Sequence, residues 1–362
     1  MFIIAKAILY LSFALLIGAL ILYTVPKAMR PEIKLSKKWL LLFIALIPIA
    51  GIGEIIRLTL YLGSDFGYWT TFQNIVLTFE AGKGWLFLTG ISVLLFFMVS
   101  FNDVENERFF SILSLVLVTG MAVSIGYSSH AASLSSIGLI PHTLHFLAVT
   151  IWSGVLLATG FFSSGKSPVS SFYKWFTPLA FVCLLTVIGA GLWLMSYIVP
   201  EYVNSYMLDY GQVLLIKHVL LVVIVFYSLI NGVWMKRKLK EESGAFQPIK
   251  WIRVEGIILF AVFVATAVMS QQTPPHDVAE TIKMENPSKL FTFITGLVPG
   301  GNPILFFDFT LKSAGWLLSA VLLFTAIFIG IKKNVSMIFV AVISLLAACA
   351  LYLTVMSTLS LQ

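Results

Sequence analysis

The chain has 362 residues, of which 59% are hydrophobic and only 11% are charged, whereas soluble domains carry about 25% charged residues. Its mean hydropathy is +0.98, and the apolar residues come in runs of about twenty, the length of a helix that spans a bilayer. This composition excludes a large soluble domain and predicts an all-α, polytopic bundle of membrane helices in a lipid bilayer. The net charge of +7 comes mostly from residues that flank the runs, so it does not indicate nucleic-acid binding.

About ten segments are predicted to span the membrane. The first lies at the N-terminus, where a long apolar run without a cationic start or a cleavage motif predicts a retained span rather than a signal peptide. The predicted spans cover residues 2–25, 39–62, 84–101, 108–129, 141–162, 174–198, 211–234, 252–271, 313–331 and 335–359.

Basic residues predict the orientation, because Lys and Arg favour the cytoplasmic side of a membrane. Four loops carry them, and these loops fall on one side if the spans alternate. That side is predicted to be the cytoplasm, which leaves both termini extracytoplasmic; the acidic loop 102–108 departs from the pattern. The basic residues are Lys27, Arg30, Lys34, Lys37, Lys38, Lys166, Lys174, Lys236, Arg237, Lys238, Lys240, Lys250, Arg253, Lys332 and Lys333.

Two outer loops are long. Residues 64–83 are rich in aromatic and apolar side chains and could form a short interfacial helix. Residues 272–312 include an apolar stretch that Pro299, Gly300, Gly301 and Pro303 interrupt. Irregular backbone is tolerated at membrane depth only where it is shielded from lipid, so this loop is predicted to hold an interfacial or re-entrant segment.

All five histidines fall toward the outer side in this topology. His142 and His145, at the start of span five, are three residues apart and therefore share one helix face. His130 ends span four, His276 follows span eight, and His218 lies roughly 12 Å into span seven. Neutral imidazole is a common metal ligand that suits copper, zinc and haem iron. We predict a metal site formed by His130, His142, His145 and His218.

Each of these residues also has a simpler interpretation. A single histidine can be an interfacial or hydrogen-bonded core residue. Glu54 could pair with Arg57 on the next helical turn, or it could be a carboxylate on an ion path. Met195 and Met269 could offer thioethers, which favour Cu(I), or could simply fill space.

Residues 160–167 match the phosphate-binding loop pattern literally, but a membrane helix precedes them and Pro168 follows. A phosphate-binding loop needs a strand before it and a helix after it, so we predict no nucleotide binding. We also find no nucleophile–base arrangement and predict that the chain is not an enzyme.

The pattern His142-x-x-His145 followed by Trp152-x-Gly154 resembles the core signature of the CopD copper-resistance family, also called PcoD. The resemblance implies a CopD-like eight-span core in the bacterial plasma membrane, over residues 1–271 and strongest over about 140–270. It implies copper handling, often uptake, with His142 and His145 as copper ligands and Trp152 and Gly154 packing around them. A CopC-like copper-binding domain often accompanies the family; this chain contains none, so an extracytoplasmic CopC-like protein becomes a candidate copper donor. Loop 272–312 and the two spans within 313–362 extend beyond the core.

Three hypotheses remain open. The first is a copper transporter with an outward-facing histidine site. The second is a redox protein in which histidines of neighbouring spans, such as His145 and His218, bind haem b. The third is an assembly or sensory protein whose histidines respond to pH.

Overall fold

The computed structural model of the chain describes residues 1–135, 137–164, 169–234, 248–300 and 303–362. Within these residues the protein is mostly helical with almost no strand, and ten helices are long and apolar enough to cross a membrane. The predicted class, a polytopic bundle of membrane helices, is therefore confirmed. Lys166 of the phosphate-loop-like sequence, the basic residues 236–240 and Gly301 lie outside the described residues.

Fourteen α-helices and two short strands make up the described chain. Residues 27–29 and 204–207 add 3₁₀ turns, and residues 230–234 form a π-helical turn. In chain order the elements are α1 Phe2–Thr24, α2 Lys37–Phe66, α3 Tyr68–Thr78, α4 Glu80–Phe101, α5 Arg108–Tyr127, α6 His130–Leu134, α7 Leu139–Phe162, α8 Val169–Ile198, α9 Asp209–Leu229, α10 Pro248–Met269, α11 Val278–Met284, α12 Lys289–Thr295, β1 Leu305–Phe307, α13 Leu311–Lys332, α14 Met337–Met356 and β2 Leu359–Leu361.

The sequence predicted that His130 ends the fourth span, but in the structure it lies beyond that helix. Helix α5 ends at Tyr127, and the chain then leaves the helical conformation. Ser129 caps a separate short helix, α6, by accepting a hydrogen bond from the backbone N–H of Ala132. His130 therefore begins α6, because a serine in the extended conformation is a strong N-cap that starts a new helix.

The chain divides into two compact units, Met1–Tyr197 and Ile198–Gln362. In the first unit α1 is central and packs against α2, α5 and α7, while α4 joins α2 to α5. Gly18 of α1 and Gly154 of α7 meet at a helix crossing, where a Cβ atom on either residue would collide with the other helix's backbone. The close approach of these two backbones therefore depends on the missing side chains.

Hydrogen bonds join the loops and one helix start at one end of the first unit. Lys27 Nζ donates to Asn106 Oδ1 at 2.9 Å, and Ser164 Oγ donates to a carboxylate oxygen of Glu32 at 2.8 Å. Trp175 Nε1 donates to the carbonyl of Met29 at 2.9 Å. The first, third and fifth loops thus share one end of the unit, as alternating spans require.

In the second unit α9 packs against α10 and α14, and α13 packs against α14. Two buried polar contacts join α9 to α14. The Tyr352 hydroxyl donates to Gln212 Oε1, and the Tyr227 and Ser344 hydroxyls are 2.7 Å apart. Such contacts satisfy polar groups that would otherwise be costly among apolar helices.

Segment 272–312 differs from a simple loop. It holds α11, α12 and β1, and β1 pairs antiparallel with β2 at the end of the chain, with Phe306 opposite Ser360. This small sheet was not predicted, and the predicted tenth span, 335–359, included residues that follow α14. The interfacial or re-entrant character of the segment stays a prediction, as does the division at residues 271 and 312.

Candidate metal site

His145 is held by a main-chain atom of α8. Its Nδ1 lies 3.1 Å from the carbonyl oxygen of Val187. A carbonyl oxygen can only accept, so Nδ1 carries the proton and donates it. In the neutral ring the lone pair is then on Nε2, which is the tautomer that a metal-binding imidazole needs.

Gly191 lies beside this contact. It lies one turn after Val187 on α8, and a Cβ atom at this position would be 3.4 Å from both Cε1 and Nδ1 of His145. A Cβ atom would thus just touch the ring, and a larger side chain at this position would crowd it. Residues on α7 and α8 that are about forty positions apart therefore fix the orientation of His145.

His142 lies one turn before His145 on α7 and is partly exposed. Trp152, two turns further on, is buried at 3% exposure, and Gly154 lies at the crossing with α1. Both residues therefore have packing positions on the helix that carries the two imidazoles.

Glu54 is ion-paired at the same end of the first unit. Its carboxylate lies 2.5 Å from Arg57 Nη2 and 3.6 Å from Lys6 Nζ, and it also interacts electrostatically with His130. The pairing with Arg57 is the simpler of the two interpretations. Lys6, on α1, was not identified from the sequence, since nothing in the local pattern links it to α2.

His218 belongs to the second unit, on α9. Its Nδ1 lies 2.6 Å from the hydroxyl oxygen of Tyr202, and the Tyr202 and Tyr206 hydroxyls are also hydrogen-bonded to each other. Burial raises the pKa of Tyr202 and that of Tyr206, so both phenols stay protonated at neutral pH. Nε2 of His218 is available as a ligand in the arrangement where Nδ1–H donates to Tyr202.

The two candidate path methionines are both partly buried. Met195 lies on α8 in the first unit. Met269 ends α10 in the second unit and packs on an apolar cluster of Val199, Tyr210 and Leu214. The contact of Met269 fits a packing role, and a role of either methionine in an ion path stays a prediction.

The described part of the chain contains no group of three or more His, Cys, Asp or Glu side chains arranged to hold a metal. His130, His142 and His145 lie in the first unit and His218 in the second. A site that combines all four imidazoles therefore stays a prediction.

Sequence reasoning missed two groups of residues here. The first is Val187 and Gly191, since a carbonyl and an absent side chain leave no motif. The second is Glu255, a fully buried carboxyl group on α10 within an apolar span, which hydropathy scanning could have singled out.

The fold is that of a polytopic helical membrane protein, and its resemblance to the CopD family is confirmed. Residues 170–269 match the family described as Copper resistance protein D. These residues include Met195, His218 and Met269, whereas the motif around His142 and His145 lies outside them.

A curated protein gives the more particular likeness. The chain is 23% identical over 318 residues to copper transport protein CutJ of Bacillus subtilis (strain 168), an alignment that covers 82% of this chain and 58% of the relative. The chain thus spans 58% of that protein's length. No solved structure matches the chain.

Proposed function

We propose that this chain is a copper-binding membrane protein that mediates copper uptake across the bacterial plasma membrane through an outward-facing histidine site. The matched family is described as a copper resistance protein, and the similar Bacillus protein is described as a copper transport protein. The descriptions favour a transporter over an enzyme, and the apolar composition favours a function within the bilayer.

The observation that carries this proposal is the contact between His145 Nδ1 and the Val187 carbonyl. A metal-binding histidine almost always donates its other N–H to a carbonyl or carboxylate, which fixes the tautomer and aims the ring. His145 has this arrangement before any metal binds. His142, one turn away on the same helix, supplies the second imidazole.

His130 and His218 would extend the site, and Met195 and Met269 could line the path that leads from it. Two or three imidazoles favour Cu(II), and an added thioether would favour Cu(I). Copper is the cargo here, and a CopC-like extracytoplasmic protein is the proposed donor.

The proposed orientation follows the loop charges and leaves both termini outside. Lys27, Lys37 and Trp175 lie at one end of the first unit. Lys6, near the start of α1, lies at the opposite end with Glu54. The end that carries Lys6, Glu54 and the histidines of the first unit would then face the extracytoplasmic space.

The haem alternative has no comparable support, since neither description refers to haem.

Copper accumulation in cells tests the proposal. Cells that express the wild-type chain should accumulate more copper than cells with an empty vector, and the His142→Ala/His145→Ala variant should lose this difference. His276→Ala is the matched control, because His276 is an exposed loop residue outside the proposed site. Equal accumulation by the double variant and the wild type, at equal membrane abundance, would refute the proposed role of the two imidazoles.

A further inference from the structure

A second polar cluster lies inside the second unit, away from the histidines discussed above. Glu255 sits about 10 Å from the start of α10 and is 1% exposed. Ser228 Oγ donates to one carboxylate oxygen at 2.8 Å, and Asn231 Nδ2 donates to the other at 2.7 Å. Both donors belong to neighbouring turns of α9 and the segment that follows it.

The backbone of that segment is unusual. Directly after α9 the chain forms a π-helical turn over Ile230–Trp234, and Asn231 lies within it. Single π-helical turns inside longer helices are rare and often lie at functional sites. This turn is part of what positions the Asn231 carboxamide against Glu255.

Among the residues that the structure describes, Glu255 has no ion-pair partner. Within the described ranges, the salt bridges of the chain involve Lys6, Glu54 and Arg57, and none includes Glu255. A carboxylate in a membrane span without a cationic partner is costly, and such residues commonly serve ion or proton movement. Two neutral donors offset only part of that cost.

Two further buried polar atoms lie near this cluster without a hydrogen-bond partner among the described residues. One is Oδ1 of Asn231, whose side chain is already bonded to Glu255, and the other is Nε1 of Trp251. Asn231 is 4% exposed and Trp251 is fully buried. Trp251 lies one turn before Glu255 on α10 and therefore on the same helix face. Asn231 Oδ1 is thus an unused acceptor beside the carboxyl group. A protonated carboxyl group needs such an acceptor for its O–H.

We propose that the carboxyl group of Glu255 is a proton-binding site that takes up and releases a proton during the protein's working cycle. The carboxylate accepts the Asn231 N–H, as the structure has it. When a hydronium ion transfers a proton to the carboxylate and leaves as water, a half-turn of the carboxamide lets Oδ1 accept a hydrogen bond from the new carboxyl O–H. Release breaks the same O–H bond and restores the first arrangement, so one side chain satisfies both states.

The titratable groups of the described helices around Glu255 are mostly engaged in contacts of their own. Tyr227 on α9 interacts with it electrostatically and is itself hydrogen-bonded to Ser344 of α14. On α14 the titratable residues are Cys349 and Tyr352, and Tyr352 is bonded to Gln212. On α10, Lys250 donates to Asn334 and Val335, and Arg253 has contacts of its own. Glu255 is therefore the acidic side chain of this cluster.

Infrared spectroscopy of the purified full-length chain tests the proposal without copper. The wild type should show a carboxylic-acid carbonyl band that disappears as the pH rises, moves on transfer to D₂O and moves with ¹³C-labelled glutamate. Glu255→Gln should remove this band. Glu280→Gln, at an exposed position on α11, is the matched control and should retain it.

Asn231→Leu refines the test. Hydrogen bonds to an ionised carboxylate are stronger than those to the neutral acid, so loss of the Asn231 amide should shift the titration midpoint upward by about one pH unit or more. The wild-type isotope shifts need no variant, so they remain informative if a variant fails to fold.

Three results would overturn the proposal. They are a wild type without a titrating carboxylic-acid band, a band that Glu255→Gln leaves unchanged, and a band that sodium ions remove at constant pH. The last result would indicate a metal cation instead of a proton. None of these outcomes depends on copper uptake. The proposed copper function can therefore fail while this inference holds, and this inference can fail while the copper function holds.

Discussion

At the scale of single residues, the orientation of His145 depends on atoms that carry no sequence signal. The imidazole itself was predicted as a ligand from its spacing to His142. The group that fixes it is the carbonyl of Val187, and any residue type could supply a carbonyl. The side of the ring next to α8 is lined by Gly191, which has no side chain to crowd it. Sequence reasoning could therefore name the candidate ligand but not what holds it.

Gly191→Val tests this arrangement. The valine methyl groups would extend beyond the Cβ position that already lies 3.4 Å from the ring, so the ring must rotate away from the Val187 carbonyl. Loss of such a supporting contact commonly costs about 10- to 100-fold in metal affinity. We expect a copper affinity lower by about tenfold or more, measured by competition with a colorimetric chelator.

Gly189→Val is the matched control for that prediction. Gly189 lies on the same helix, and a Cβ atom at its position would meet nothing within 4 Å. Both variants exchange glycine for the same β-branched residue, so their effects on the helix itself should be alike. Equal copper affinity in the two variants would contradict a role for the His145–Val187 contact.

At the scale of elements, hydropathy predicted all ten spanning helices to within a few residues. Their positions follow from composition and length, which a bilayer dictates almost directly. The strand pair β1–β2 was missed because its two three-residue strands are about fifty residues apart. The strand β2, Leu359–Leu361, follows α14 closely, and only its pairing with the distant β1 distinguishes it from the end of the span.

The crossing of α1 and α7 gives a prediction for stability. Gly154→Ala would drive a methyl group into the backbone of Ala14, and overpacking of this kind typically costs about 1–3 kcal/mol. We expect a lower midpoint of thermal aggregation in detergent. Gly90→Ala on α4, where the added Cβ meets nothing within 4 Å, should leave the midpoint unchanged or slightly higher. A Gly154→Ala protein as stable as the Gly90→Ala protein would exclude this close crossing.

The register of β1 and β2 gives a second prediction at this scale. Phe307 lies opposite Leu359, and facing residues of an antiparallel pair have Cα atoms close enough for a disulfide. In a chain whose native Cys183 and Cys349 are replaced by alanine, Phe307→Cys/Leu359→Cys should crosslink on oxidation. Phe307→Cys/Ser360→Cys should crosslink poorly, since neighbouring residues of a strand point to opposite faces. Efficient crosslinking of the second pair alone would mean that the register is shifted.

At the scale of the whole molecule, the loop charges predict which end faces the cytoplasm. Cysteines introduced into the same cysteine-free background test this prediction. On intact cells a membrane-impermeant maleimide should label Glu280→Cys, in the segment predicted to be extracytoplasmic. It should not label Glu105→Cys, in a loop predicted to be cytoplasmic, until the membrane is permeabilised. Both positions are exposed, so burial would not explain a difference, and the reverse pattern would invert the orientation.

Copper binding by the purified, full-length chain is the most direct measurement of the proposed histidine site. We expect the wild type and His276→Ala to bind copper with equal affinity, and we expect His145→Ala to bind it at least about tenfold more weakly, because it loses a ligand that the Val187 carbonyl aims. Copper binding to His145→Ala with wild-type stoichiometry and affinity would contradict the proposed site.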